Sequence, residues 1–446
     1  MPSSPQRSLR VLLVCGYFPP FAPMSGVRAG KLAKHLLAAG HDVRVLGARD
    51  LPFPPLLKPE IPADKIRYAH CADINAFPKW IASLRHRNAA PSAADQAAPK
   101  QASAKQTGSP SGVGALLRKL STFYTDLTNW PDPQIGWLRH AVADGSALLR
   151  DFKADVIYAS VPPLTGLLVA QRLGRRFGIP WVAEFRDLWV DHPYYDAPAW
   201  RRPFERRQQN RVLSEAAAIV TVSDEWRDLL ETRFHKPTKT ILNGFDPDDY
   251  PAEPAPTPAR DTLTILYTGT LYPGRRDPTP LFRAVRQLGD KGRAIRMHFY
   301  GADAGVVNEL AEKAGVRDLV EVFAPVGYGR VVQIQREADI LLLLRWNDPS
   351  EAGVVPGKVF EYAGARRPIL SLGYPEGAVP EIIKSRGLGL VSEDPAVIAR
   401  ALEKWLDEKS RTGRVEPLPL QARDGLSRTD QFRKLEEFLQ TIVRPR

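Results

Sequence analysis

Short apolar, β-rich runs recur along this chain with helix-like amphipathic stretches between them, and that alternation leaves few folds open. "VLLVCGY", "HDVRVLG", "ADVIYAS", "IPWVAEF" and "AAIVTVS" come first; after a break the pattern restarts with "LTILYTG", "AIRMHFYG", "DLVEVFAP", "ADILLLL" and "RPILSLG". Strands joined by helix-length connections pair in parallel through crossover helices, which is the doubly wound α/β arrangement. Two such series in 446 residues predict two Rossmann-like lobes, each with its own core, since single cores stop growing well below that length.

The break lies at "DPDDYPAEPAPTPARDT", Asp246 to Thr262, where five prolines in a polar stretch read as a semi-stiff hinge. The expected organisation is an N-terminal domain over 1–250, a linker over 251–262, a C-terminal domain over 263–425 and a final helix over 426–446. In that last segment Phe432, Leu435, Phe438, Leu439 and Ile442 recur at helical spacing and must pack on something. Ligands of such sheets bind outside the carboxyl ends of the strands, so the loops there are expected to face a cleft between the lobes.

One segment departs from the pattern. Asn88 to Gly112 is Ala, Ser, Pro and Gln without a bulky apolar residue and is expected to be a disordered insertion. From Lys79 to Lys119 there are seven Lys/Arg against one acid, Asp95, with Trp80, Ile81, Leu84, Leu116, Leu117 and Leu120 available as an apolar face. Such a flank suits a membrane surface, or equally an amphipathic helix pair packed on its own core. The net charge of +12 and pI near 9.6 favour anionic partners such as nucleotide phosphates, nucleic acid or acidic lipid. No nucleic-acid module accompanies the charge, so nucleic acid is not expected as a partner. Two cysteines, Cys15 and Cys71, make neither a disulfide framework nor a four-thiolate metal site. Without a signal-peptide core or about 20 uninterrupted apolar residues the chain is expected in the cytoplasm, with peripheral attachment at the inner membrane face a further expectation.

Four stretches carry candidate chemistry. After the first strand, Gly16 and then Ser25-Gly26 at a helix start let backbone N–H groups approach an anion, with Arg28 in the first turn. "WVAEFRDLWVDHPYY" places Glu184, Arg186, Asp187 and His192 beyond a buried strand, where they bind hydroxyls, exchange protons, or form an internal ion pair from Arg186 to Asp187 or Glu184. "LYTGTLYPGRRDP" ends a strand at Gly269 and brings Arg275 and Arg276 within reach of a diphosphate. "GVVPGKVFEYAGARRPIL" follows the apolar run "ADILLLL". Amides around Pro356 and Gly357 with Lys358 form an anion site, and Glu361, one turn on, is suited to accept both hydroxyls of a ribose.

In their order and spacing these pieces, with "WPDPQIGW" and "TILNGFD", resemble the retaining glycosyltransferases of family 4, which have the GT-B fold, over nearly the whole chain. "PGKVFEY" is similar to the "PSKLFEY"-like variants that act in cell-envelope polysaccharide synthesis, lipopolysaccharide included. The resemblance implies a hexosyl- or N-acetylhexosaminyl-transferase. Its C-terminal lobe would bind a nucleotide-sugar, with Glu361 on the ribose, Pro356 and Gly357 near phosphate and sugar, and Lys358 with Arg275 or Arg276 on the diphosphate. Its N-terminal lobe would hold a lipid-linked or other cell-envelope glycan acceptor, with Gly16, Ser25 and Gly26 approaching the donor and Asp187 and Glu184 on the acceptor side. Its last helix would pack back on the N-terminal domain. No metal or cofactor is expected, because Lys and Arg replace a divalent ion. The family's first of two paired glutamates falls here on Gly353; Glu351 lies two residues too early. An epimerase on the same scaffold is the alternative reading.

Overall fold

The computed structural model describes residues 7–21, 25–55, 57–75, 121–195, 197–253 and 262–443. The expected insertion Asn88–Gly112 and its basic flanks to Lys119 lie outside the described residues. Two compact units account for the chain: Met1–Thr221 with Leu230–Lys239 and Glu436–Arg446, and Val222–Leu229 with Thr240–Leu435.

The first unit is built on a seven-stranded sheet of order β3-β2-β1-β4-β5-β6-β7, with β1 Arg10–Val14, β2 Asp42–Arg49, β3 Ile66–His70, β4 Val156–Val161, β5 Trp181–Phe185, β6 Ala218–Thr221 and β7 Thr238–Thr240. The strands from β3 to β6 pair in parallel. The second unit repeats the design with six parallel strands in the order β10-β9-β8-β11-β12-β13. They are β8 Leu263–Thr268, β9 Ile295–Tyr300, β10 Val320–Phe323, β11 Ile340–Leu344, β12 Ile369–Leu372 and β13 Gly389–Val391. Both sheets are Rossmann-like and reverse their order beside the first strand, so each has its ligand crevice between β1 and β4 or between β8 and β11.

The continuous run "ILLLL" of β11 follows from burial on both faces. Ile340, Leu342 and Leu344 join one core cluster with Ile265, Met297 and Phe299, while Leu341 and Leu343 join another with Leu266, Phe360 and Tyr362. Helix ends are set by local chemistry. Asp303 and Asp394 cap Ala304–Ala314 and Pro395–Thr412 by accepting from Val306 N and Ala396 N, and the two helices stop at left-handed Gly315 and Gly413. Asp132 of "WPDPQIGW" accepts from Thr165 N at 2.7 Å and Thr165 Oγ1 at 2.8 Å, holding the start of Thr165–Phe177 behind β4.

The second unit takes in Val222–Leu229 and then runs on from Thr240, ahead of the boundary expected after residue 250. The reason is packing: Phe245 and Tyr250 are buried in the second unit's core, and Phe245 N and O bond to Leu426 O and Arg428 N. The final helix, Arg428–Ile442, gives its first turns to the second unit and its residues from Glu436 onward to the first. There Glu436 lies 3.1 Å from His41 Nε2, and Gln440 Nε2 donates to Arg7 O. No helix among the described residues is long and apolar enough to cross a membrane.

A buried ion pair closes the amino end of the second sheet. Lys409 Nζ donates to Asp339 Oδ2 and to Thr262 O at 2.8 Å, and the same carboxylate oxygen accepts from Thr264 N. Both side chains are almost fully buried. Lys409→Met strands the carboxylate in the core and is expected to destabilise the second unit by about 3 kcal/mol in denaturant titration. Asp339→Asn added to it is expected to recover more than half of the loss, which the double-mutant cycle reads directly.

Candidate functional site

At the crevice of the second unit, β8 runs out at Thr268 into Gly269, whose φ of +117° lies in the region that favours glycine. A Cβ there would also stand 2.6 Å from Lys358 Nζ, so the ammonium would have to shift to admit a side chain. Lys358 opens the helix Lys358–Ala365 behind β11, and its ammonium lies 4.4 Å from the centre of the Tyr267 ring, a cation–π contact. No carboxylate stands within ion-pair distance of it among the described residues. Burial, with the charge of Arg276 adding to it and Glu361 opposing, pulls the Lys358 pKa from its ordinary 10.5 down to about 7.

The arginine pair divides. Arg276 is the one whose charge reaches Lys358 and Tyr267; its Nη1 donates to Thr270 O at 3.4 Å and its buried Nε has no hydrogen-bond partner. Arg275 lies over Trp346, 5.0 Å from the ring centre, and both arginines line a cleft of about 350 Å³ with Asp277, Arg345 and Glu393.

Glu361, one turn beyond Lys358, is held by a chain of buried polar groups. Gln335 Nε2 donates to Glu361 Oε2 at 3.2 Å and lies 3.4 Å from Thr268 Oγ1, while Gln335 Oε1 accepts from Tyr250 OH. Gln335 is fully buried. Sequence reasoning missed it and Tyr250; the available signal was a glutamine three residues after Val332, on the apolar face of the helix Tyr328–Glu337.

Three glycines of the sequence reading have three different explanations. At Gly353 a Cβ would meet Trp226 Cδ1 at 2.3 Å, and Gly353 O accepts from Ser223 Oγ, so any side chain at this position would have to displace Trp226. Glu351 is buried in the short turn Pro349–Gly353. Gly16 lies against Pro163, with a Cβ only 2.4 Å from Pro163 Cγ, which accounts for it without a ligand. Gly357 has right-handed φ and ψ of −55° and −26°, and a Cβ there would touch nothing within 4 Å. The fold does not need that glycine, and it stands beside Pro356 at the open start of the helix.

In the first unit, Ser25 and Gly26 begin the helix Ser25–Ala38, and Arg28 in its first turn faces a carboxylate of the chain itself. It is buried and donates through Nε and Nη2 to Glu184 Oε1 at 2.9 and 2.7 Å. Glu184 is itself fully buried; burial raises its pKa, and Arg28, Arg186 and Ser160 outweigh that and hold it low. This corrects the reading of Glu184 as an acceptor-side carboxylate: it is the buried counter-ion of Arg28, with the charge of Arg186 acting on it as well. Arg186 donates through Nε to Val161 O and through Nη2 to Pro162 O. Asp187 differs, with more than half of its side chain accessible and His192 Nε2 3.4 Å away. Partial desolvation raises the Asp187 pKa, and His192 and Arg186 outweigh it and keep the carboxyl below the ordinary range. A further cleft of about 390 Å³, beside Asp339, His298 and Glu321, contains none of the residues singled out from the sequence.

Comparison with known proteins places this geometry. The family model described as "Glycosyl transferase 4-like domain" matches residues 25–246, and that described as "Glycosyl transferases group 1" matches 262–408. A D-inositol 3-phosphate glycosyltransferase of Streptomyces avermitilis is 26% identical over 169 residues; the match covers 35% of this chain and 35% of that protein. Sucrose-phosphate synthase of Thermosynechococcus elongatus superposes with a TM-score of 0.62 at 13% identity, over 98% of this chain and 99% of that one. Anabaena HepE in complex with UDP-glucose superposes with a TM-score of 0.60 at 13% identity, over 97% and 100%.

The depressed Lys358 pKa has a sign that is open to measurement. Between pH 7 and 10.5 the unfolded chain holds the proton and the folded one releases it, so this group makes stability rise with pH across that window and costs most below it. Lys358→Met is expected to stabilise the second unit at pH 6 to 7 by about 1 to 2 kcal/mol and to flatten that slope in thermal melts. An anion bound at Lys358 favours the protonated form. Calorimetry at pH 8 in buffers of different ionisation heat is expected to show close to one more proton taken up with pyrophosphate in the wild type than in Lys358→Met.

Proposed function

The chain belongs to the family 4 glycosyltransferases of GT-B fold, and from that premise we propose that it is a retaining transferase moving a sugar from a nucleotide-sugar to a lipid-linked or other cell-envelope glycan. The observation that carries this reading is the Lys358 ammonium: it lies against Gly269 and Tyr267 without a carboxylate partner, one turn from Glu361. A half-buried cation of this kind is suited to an anion, and a carboxylate one turn away suits the two hydroxyls of a ribose.

Each group then has one task. Lys358 and Arg276 neutralise the diphosphate, and the open backbone at Pro356 and Gly357 lets phosphate and sugar approach the helix start. Glu361, oriented by Gln335, binds the ribose. As the bond between sugar and diphosphate breaks, negative charge grows on the leaving oxygen, and fixed cations lower the barrier by stabilising it. In a retaining transfer that oxygen takes the acceptor proton on the same face, so no dedicated base is required. On the first unit, Asp187 with His192 is the accessible polar pair suited to an acceptor hydroxyl. Because Lys358 and Arg276 already supply the positive charge, transfer is proposed to proceed without a divalent metal.

Calorimetry with a panel of UDP-, GDP- and ADP-sugars tests the donor site. Glu361→Ala is expected to weaken the preferred nucleotide by about 1 to 3 kcal/mol. Gln335→Leu is expected to erase most of the difference between a ribonucleotide and its 2′-deoxy form, a readout that general loosening of the fold would not move. Gly357→Ala is expected to leave thermal stability unchanged or slightly raised, by about 0.5 kcal/mol, while weakening the donor. Product formation in EDTA is expected to match that with magnesium. No binding of any nucleotide by the folded protein would end the transferase reading.

A further inference from the structure

Eight large apolar side chains are exposed among the described residues, and half of them sit together in the first unit: Phe123 at 58%, Leu127 at 55%, Trp200 at 44% and Phe204 at 59%. Phe123 and Leu127 are one turn apart on helical residues 121–128, and Trp200 and Phe204 are one turn apart at the start of the helix Arg202–Leu213.

Buried contacts join the two segments into one surface. Arg201 donates to the carbonyls of Asp126, Asn129 and Pro131, pairs with Glu205, and lies over the Trp130 ring. Trp130 in turn donates to Gln208 and meets Phe204 edge to face at 6.2 Å. The outward side chains are therefore held in place by the same network that hides Arg201. Exposed Arg207 and Arg211 continue the line of Trp200 and Phe204 along the helix at spacings of three and four, and Arg202 is exposed beside them. The helix has one acid, Glu205, which is buried. The charge it presents to solvent is all positive.

We infer that this face docks the protein onto the surface of an anionic phospholipid bilayer. Aromatic and leucine side chains bury in the headgroup boundary while arginines at the rim meet phosphates, and the two contributions act together. A second copy on the same two-fold face would set arginine against arginine, which charge complementarity disfavours. The purpose of the docking rests on the proposed lipid-linked acceptor, but the docking itself is read without transfer.

The test is co-sedimentation of the full chain with vesicles of phosphatidylcholine alone and of phosphatidylcholine with phosphatidylglycerol, at low and high salt. The wild type is expected to sediment with the anionic vesicles at low salt and to be released by high salt. Trp200→Ser with Phe204→Ser, and separately Arg207→Gln with Arg211→Gln, are each expected to lower the partition coefficient about tenfold or more. Leu420→Ser, an exposed leucine of the second unit, is expected to change nothing. Melting temperature and nucleotide binding, measured on the same preparations, separate loss of docking from loss of the fold or of the donor site. The inference is overturned if the wild type ignores anionic vesicles at low salt, or if both double variants sediment as the wild type does. A concentration-dependent dimer abolished by these substitutions, without vesicle binding, would overturn it in favour of a second copy.

Discussion

The contact between the Lys358 ammonium, the face of Tyr267 and the bare backbone of Gly269 sets the terms for the rest of the second unit. It requires a residue without a side chain at the end of β8, an aromatic residue two positions earlier, and a helix that begins immediately beside them. It also holds a half-buried positive charge with no carboxylate at ion-pair distance among the described residues, and the desolvation outweighs the help of Glu361, which is unfavourable for the fold alone. A chain keeps such an arrangement when something anionic completes it, and the cost in stability is a usual mark of a working site.

Much of the fold was legible because parallel strands buried on both faces have no polar positions to spare, so runs such as "ILLLL" declare themselves. The unit boundary was less legible. Proline marks where regular structure stops, but Phe245 and Tyr250, just before the prolines, already belong to the second core, and only tertiary packing reveals that. The basic insertion lies outside the described residues, whereas the helix starting at Arg202 could be followed through to its exposed face.

The residues proposed for the donor side were found by type and place, since Gly269, Lys358 and Glu361 follow strands of a doubly wound sheet. Which arginine accompanies Lys358 was not, because Arg275 and Arg276 are neighbours in sequence and only the turn decides that one meets Trp346 and the other Thr270. On the first unit, Arg28 and Glu184 are 156 positions apart and find each other only in the folded sheet. A glycine's meaning was the hardest to read: Gly16 and Gly353 yield space to Pro163 and Trp226, while Gly357 yields it to nothing in the chain.

The final helix gives residues from Glu436 onward to the unit whose first strand begins at Arg10. During synthesis, therefore, that unit cannot be completed as a finished domain when its own strands have emerged from the ribosome. His41 and the backbone at Arg7 wait for Glu436 and Gln440 until nearly the whole second unit has been made. The earlier-made unit thus draws its last contacts from residues that follow the later-made one in the chain.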